Sequence, residues 1–214
     1  ALVKTDNTFN FFNISDNAEV LNTSLSNRFK YDEWVNAAYA NYNVQVKKFG
    51  LNAGLRVENS NTKGDLTASD LVNDKLVTRH YTNVFPSAGI SWAMSDKHNF
   101  QLSYGRRINR PNYQDLNPFQ FQLDQLTYEK GNPFLNPEYT DNVQLVHTFK
   151  QMINTTLSYS HTGNVITRLV DTSGVKGSYI TWDNIAYRRT WSAGMSIPWQ
   201  LSDKWSTFTN LNGV

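Results

Sequence analysis

"VFPSAGISWAMSDKHNFQLSYGRRINRPNYQDLNPF", residues 84–119, holds one strand, a tight turn, a second strand and the start of a long polar excursion. Val84, Ala88, Ile90, Trp92 and Met94 share one parity; Ser87, Gly89, Ser91 and Ala93 share the other. Beyond Ser95–His98 the alternation resumes, with Phe100, Leu102 and Tyr104 set against Gln101, Ser103 and Gly105. A period of two is the mark of a strand with one apolar and one polar face. Two such strands across a short link make an antiparallel hairpin. The link turns on Ser-Asp-Lys, where an aspartate suits the turn because its carboxylate accepts from a nearby backbone N–H.

The same pattern recurs outward in both directions. "GLNAGLRVE" sets Leu51, Ala53, Leu55 and Val57 against Asn52, Gly54, Arg56 and Glu58. "INTTLSYS" places Ile153, Thr155, Leu157 and Tyr159 on one face. "IAYRRTWSAGMSIPW" places Tyr187, Trp191, Ala193, Met195 and Ile197 against Arg188, Thr190, Ser192, Gly194 and Ser196. Short links are expected at Lys47–Lys48, Ser95–His98, Lys150–Met152 and Ser202–Lys204, and two of them are near copies: "WAMSDKHNF" and "WQLSDKWST". Long polar connections are expected at Asn59–Arg79, Asn109–Asp141 and His161–Ser178. Loops longer than about 15 residues are uncommon in compact soluble domains.

Short turns at one end and long loops at the other are the asymmetry of an outer-membrane barrel. Composition agrees. The polar faces are built of Ser, Thr, Asn, Gln and Gly, which suit a crowded aqueous interior. Mean hydropathy is −0.54, which argues against helical spans but not against strands that are apolar at every second residue. Aromatics make up 14% of the 214 residues, and Trp34, Trp92, Tyr104, Tyr187, Trp191, Trp199 and Trp205 lie near expected strand ends. Such positions suit an interfacial girdle, and they equally suit ordinary strand aromatics. The fold class expected is therefore all-β: an antiparallel transmembrane β-barrel segment of about nine meandering strands, with short periplasmic turns and long extracellular loops. Residues 1–214 are expected to be part of one outer-membrane β-barrel domain, the remaining strands and any plug lying outside this chain.

Several chemistries find no support. The net charge is +2, so the Arg106, Arg107 and Arg110 cluster is local, and no nucleic-acid surface is expected. There is no cysteine, and His80, His98, His147 and His161 are scattered, so no metal site or cofactor is expected. "DTSGVKGS" at Asp171–Ser178 lacks the alternating acidic ligands of a calcium loop. No nucleophile elbow or phosphate loop occurs, so no catalytic residue is named and the protein is not expected to be an enzyme.

Parity and loop chemistry supply other candidates. Arg56, Glu58 and Arg107 fall on the lumen-facing parity. Arg106 and Arg189 fall on the outward one, where an arginine at the membrane edge can reach lipid phosphates or simply be solvated. The long loop "RPNYQDLNPF" through "GNPFLNPEYTDN" is rich in Pro, Asn and Gly, and is expected as an ordered, non-strand excursion. Its ligand-binding candidates are Arg110, Tyr113, Asn117, Phe119, Asn132 and Phe134; the same aromatics would serve equally to pack the loop on itself.

Segments "FKYDEWVNAAYANY", "GLNAGLRVE", "VFPSAGISW", "LSYGRRINRPNYQDLNPF" and "KGNPFLNPEYTDNVQL", in this order, resemble the barrel of TonB-dependent outer-membrane receptors of the Bacteroidetes type. The resemblance runs from about Phe29 to Val146, with weaker likeness to Trp205. It implies a barrel of about 22 strands closed by a plug that TonB pulls on. It also implies energised uptake of a scarce or bulky ligand, lipopolysaccharide as surroundings, the TonB complex as partner through a plug, and a possible surface lipoprotein. Two other readings fit the same alternation: a small self-contained outer-membrane barrel with a structural or adhesive role, and a soluble β-sandwich binding module.

Overall fold

The computed structural model describes residues 1–15, 17–68, 76–124, 126–172 and 178–214, the side chains at 68, 120 and 201 excepted. Every regular element described is a strand. The main sheet is nine-stranded and each neighbouring pair is antiparallel. Its strands are β1 (Leu2–Phe9), β4 (Asn27–Val46), β5 (Phe49–Ala68), β6 (Leu76–Ser95), β7 (His98–Asn109), β10 (Glu138–Phe149), β11 (Ile153–Gly163), β14 (Tyr187–Ser202) and β15 (Trp205–Gly213), in that spatial order. The sheet does not close: β1 and β15 are its two edges.

The four short links fall at Lys47–Lys48, Ser95–His98, Lys150–Met152 and Ser202–Lys204, all at one end of the sheet. At Phe149–Met152 the Met152 N–H donates to the Phe149 carbonyl at 3.0 Å. Lys150 and Gln151 both have positive φ, 49° and 58°, the geometry of a type I′ turn. The two Ser-Asp-Lys turns fold alike, each preceded by a register shift, at Ala93/Ser95 and at Gln200/Ser202. In both, the serine hydroxyl caps the lysine N–H, at 3.3 Å for Ser95 and 3.4 Å for Ser202. The serine, not the aspartate that the sequence suggests, therefore supplies the turn's side-chain acceptor.

The other end differs from the expected loops. Strands β4, β5 and β6 are 20 residues long each, whereas about 9–11 residues suffice to cross a bilayer as a tilted strand. Most of Asn59–Arg79 is thus paired strand; residues 69–75 lie outside the described set. The Asn109–Asp141 excursion contains β8 (Gln120–Gln122) and β9 (Thr127–Lys130), so the expectation of a strand-free loop is corrected. These join β12 (Ile166–Asp171) and β13 (Ser178–Asn184) in a second sheet of order β12-β13-β9-β8, where β13 and β9 run parallel. Non-local pairing of this kind leaves no signature in either short segment. A hairpin of β2 (Phe12–Ser15) and β3 (Ala18–Leu21) tops the β1–β4 connection. The Asp171–Ser178 stretch lies largely outside the described residues, at 173–177.

Cross-strand register joins the apolar parities into continuous rows. Phe49, Trp92, Phe100 and His147 are successive partners, as are Leu51, Ile90, Leu102, Leu145, Leu157 and Ala193. Phe49, Trp92, Phe100 and His147 stack at 4.6–5.9 Å between ring centroids. Many of these apolar side chains are exposed, Leu51 at 43% and Leu157 at 52%, so this face has no protein layer over it. The opposite face carries Asn41, Asn52, Gly54, Ser87, Ser103, Gln144 and Ser158. The buried core sits elsewhere, beyond the polar rows at the long-strand end: Phe29, Tyr31, Leu66, Leu116, Phe119 and Leu135.

Candidate functional site

The second sheet and the segment leading into it form a cap over the upper ends of β4, β5 and β6. The parity of the contacts identifies the face. Phe29, Tyr31 and Glu33 alternate on β4; Glu58, Ser60 and Leu66 share the polar parity of Asn52 and Gly54 on β5. The cap therefore lies on the polar side of the wall.

Two arginines hold it there. Arg110, where the chain leaves β7, donates to Glu58 Oε2 at 2.5 Å and to Ser60 Oγ at 3.0 Å. Its Nε stands 3.1 Å from Glu33. Glu58, with 5% of its side chain exposed, also meets Arg56 at 2.6 Å. A buried carboxylate is tolerable because two cations, Arg56 and Arg110, meet it. Tyr31 OH donates to Glu33 at 3.4 Å, and burial together with that carboxylate pushes the phenol well above its usual range. From the wall side, Arg79 on β6 reaches into the cap. It donates to the carbonyl of Leu135, to that of Phe134 at 3.1 Å and to Asn136 Oδ1 at 2.8 Å.

Inside the cap, two Asn-Pro-Phe triplets use the same local device. Asn117 Oδ1 accepts from the Phe119 N–H at 3.1 Å, and Asn132 Oδ1 from the Phe134 N–H at 2.9 Å. Each is an Asx turn that bends the chain around its proline. The triplets are stitched together by Gly131 N–H to the Asn117 carbonyl, 2.8 Å, and Asn132 N–H to the Asp115 carbonyl, 2.6 Å. A Cβ on Gly131 would lie 2.5 Å from both of those oxygens, so only glycine fits. The outcomes for the rings differ: Phe119 is 5% exposed, Phe134 is 55% exposed.

The sequence-derived candidates can now be placed. Arg110 is turned into the wall. Phe119 belongs to the core, with Tyr113 packed against it. Asn117 and Asn132 shape the backbone, and Asn132 also donates to the Trp182 carbonyl at 3.1 Å. Phe134 projects outward. Of the lumen-parity residues, Glu58 is covered by Arg110, and Arg56 stays half-exposed. Arg107 lies in a row with Thr140, Thr162 and Arg188. Arg106 and Arg189 share the outer parity with the apolar rows.

Beside the cap opens a cleft of about 450 Å³ between the tops of β1 and β4 and the second sheet, lined by Phe9, Phe29, Tyr113, Asp115, Phe121 and Trp182 among others. Phe9 and Phe119 each meet Phe121 edge-on, at 5.3 and 5.1 Å. Burial raises the Asp115 carboxyl and Glu129 adds to this, against a hydrogen bond from the Asn112 backbone. The cleft offers ring faces, amides, the carboxylates of Asp115 and Glu129 and the Lys130 ammonium: chemistry for holding a ligand. Sequence reasoning missed Glu33, Ser60, Arg79, Asp115 and Trp182. For Glu33 a signal existed, a charge on the parity of Phe29 and Tyr31; for the rest the partners are too distant in the chain.

A family model described as the outer membrane protein beta-barrel family matches residues 1–214. Solved structures share the fold. The siderophore receptor PirA from Pseudomonas aeruginosa aligns with 99% of this chain and 49% of its own, at 14% identity and a TM-score of 0.58. The hemophore receptor HasR of Serratia marcescens, solved as a double mutant with its hemophore HasA and heme, aligns over 92% and 39%, at 14% identity and a TM-score of 0.62. The copper transporter OprC aligns over 99% and 35%, also at 14% identity and 0.62. The chain thus spans about half the length, or less, of the solved chains it matches, and at this identity the likeness is one of fold. No curated protein matches it.

Proposed function

Because this chain belongs to the outer membrane protein β-barrel family, we propose that it forms part of the wall and outer loops of a TonB-dependent receptor, of the Bacteroidetes type its loop segments resemble, which takes up a scarce or bulky ligand. The protein is an outer-membrane protein. Its uncovered aliphatic face meets lipid, and the soluble β-sandwich is set aside.

The observation that carries the proposal is the cap, latched by Arg110 and Arg79 onto the polar face of the wall. A barrel that only reinforced the membrane would need no ordered layer folded over its mouth. A receptor needs one to form a binding surface and to restrict leakage. The open edges at β1 and β15 support a wall completed by further strands, since unpaired backbone in lipid costs several kcal/mol per group. The full barrel, its plug, its contact with the TonB complex and a surface lipoprotein partner are parts of the same proposal. In this reading the wall binds, encloses and orients the ligand, and performs no covalent chemistry on it.

The test uses the native protein in its own outer membrane. Ligand-dependent growth or uptake is expected to stop when the proton-motive force is collapsed, and to stop when the cap, residues 110–137, is replaced by a short linker while the barrel still inserts. Uptake that survives both treatments would identify a passive structural barrel, the small self-contained alternative.

A further inference from the structure

The middle of the wall holds a recess on its polar face, below the cap. Asn41, Gly54, Ser87, Gly105 and Asn142 are successive cross-strand partners from β4 to β10. The next polar row towards the short turns is Asn43, Asn52, Gly89, Ser103 and Gln144. Small residues at the centre and amides on both sides leave a hollow of about 560 Å³, lined by Asn41, Asn52, Ser87, Ser103, Asn142 and Gln144 among others. The floor is covered at Gly54, where a Cβ would lie 2.5 Å from Asn41 Oδ1 and from Ser87 Oγ. It is open at Gly105, where a Cβ would meet nothing within 4 Å. Among the described residues, none of those six lining side chains has a hydrogen-bond partner in the protein.

Arg107 stands at the upper edge of this recess. The β6–β7 ladder ends at Ser87 and Gly105, so Arg107 has a paired neighbour on β10, Thr140, and none on β6. Carboxylates on the same face are engaged elsewhere. Glu138 accepts from the Ile166 N–H at 2.7 Å and from the Asn109 amide at 2.8 Å, one bond on each oxygen. Glu58 is held by Arg56 and Arg110. Among the described residues Arg107 is in no ion pair. A guanidinium stays charged and presents a planar fork of N–H donors that matches a carboxylate. Each amide below it offers a donor beside an acceptor, which suits a hydroxyl group, itself both.

We propose that this recess binds the carboxylate end of a hydroxyl-rich solute, the carboxylate on Arg107 and the hydroxyls on the amides of Asn52, Asn142 and Gln144. The proposal rests on the receptor reading and gives it a ligand class. One guanidinium balances one negative charge, which favours a carboxylate over a doubly charged phosphate. A solute that has passed the cap meets this recess next: Glu58, in the latch, stands four residues above Gly54 on β5, about 13 Å along the strand. Arg188 closes the Arg107 row beyond the Thr140–Thr162 hydroxyl pair. It is three strand spacings away, about 14 Å, too far to share the same carboxylate.

The experiment uses the native protein, extracted from outer membranes in mild detergent, in equilibrium dialysis against radiolabelled gluconate, with sorbitol as the uncharged counterpart. Retained fold is verified by heat-dependent migration. Wild type is expected to bind gluconate saturably, with sorbitol displacing it about tenfold less well than unlabelled gluconate. Arg107→Gln is expected to weaken gluconate binding by about tenfold or more, as for loss of charge-assisted bonds, and Arg107→Lys by less. Gly105→Val places a side chain in the open part of the recess without changing charge and is expected to weaken binding of both solutes. Arg188→Gln removes the same charge from the same row outside the recess and is expected to bind as wild type. No saturable binding by the folded wild type overturns the proposal, and so does unchanged binding in Arg107→Gln. An equal loss in Arg188→Gln also overturns it, by tracing the affinity to diffuse charge. Dialysis needs no proton-motive force, so failure here leaves the receptor reading standing. Energy-independent uptake with binding intact removes the receptor reading and leaves a binding site in a passive barrel.

Discussion

Glu58 keeps 5% of its side chain exposed between the cations of Arg56 and Arg110. Replacing Arg110 with methionine leaves Glu58 and Glu33 facing each other without their shared cation. Breaking a buried pair costs about 3–5 kcal/mol, and the lower end applies because Arg110 itself is only partly buried. Cap opening is expected to become more frequent by roughly 100-fold, seen as faster protease cleavage between residues 110 and 137 in reconstituted vesicles. Arg110→Lys should fall between, since an ammonium cannot make the same fork. Equal cleavage in all three proteins would remove the latch. Alternation made Glu58 legible as inward-facing, but its partner lies 52 residues away, and a loop arginine's direction cannot be read from parity.

Asp115 gives a dependence on pH. Its folded pKa is raised, so ionisation disfavours the closed cap. The stability it contributes is fully present below the ordinary carboxylate range and is lost as pH rises through the folded value. Asp115→Asn should therefore hold the cap closed to higher urea than wild type at about pH 7, with the gap narrowing towards about pH 4. A fluorophore on Phe134→Cys would report opening. A gap that widened on acidification would reverse the assignment.

At the scale of elements, the hairpin turns were legible because each interrupts an alternation that resumes on the other side. Their internal chemistry was less so. Lys150 and Gln151 occupy left-handed backbone that costs L-residues about 1 kcal/mol or more each. Substituting Asn at 150 and Gly at 151 is expected to raise unfolding resistance by about 1 kcal/mol in total, measured by urea unfolding in detergent micelles. The cap strands β8, β9, β12 and β13 were not legible, because each is short and its partner comes from another loop. They are nonetheless packed specifically: Phe121, Ile166 and Trp182 lie against a cluster that includes Leu135, which stands between β9 and β10 and is fully buried. Leu135→Ala should destabilise the cap by about 2–5 kcal/mol, while the barrel's heat-dependent migration stays unchanged. Loss of both together would mean that cap and wall fold as one unit.

For the whole molecule, an all-β antiparallel wall with one lipid face and one water face was readable from parity alone. Leu51, Leu102 and Leu157 share one face, and Asn52, Ser103 and Thr156 alternate with them. The chain has no cysteine, so single introduced thiols report cleanly. In vesicles, a charged maleimide is expected to label Asn52→Cys, Ser103→Cys and Thr156→Cys and to leave Leu51→Cys, Leu102→Cys and Leu157→Cys unlabelled. Labelling without a period of two would contradict the membrane placement. Closure, by contrast, depends on what pairs with β1 and β15, which no local pattern encodes.

The unequal strands have a consequence for approach. β4, β5 and β6 run 20 residues, while β7 and β10 run 12 from the same turn level. The difference amounts to about 26 Å of extra strand before tilt. The mouth is therefore bevelled, with a tall parapet on one flank and a low sill on the other. On the β7–β10 flank the wall ends lower, so the face that carries the cap stands taller than its neighbour.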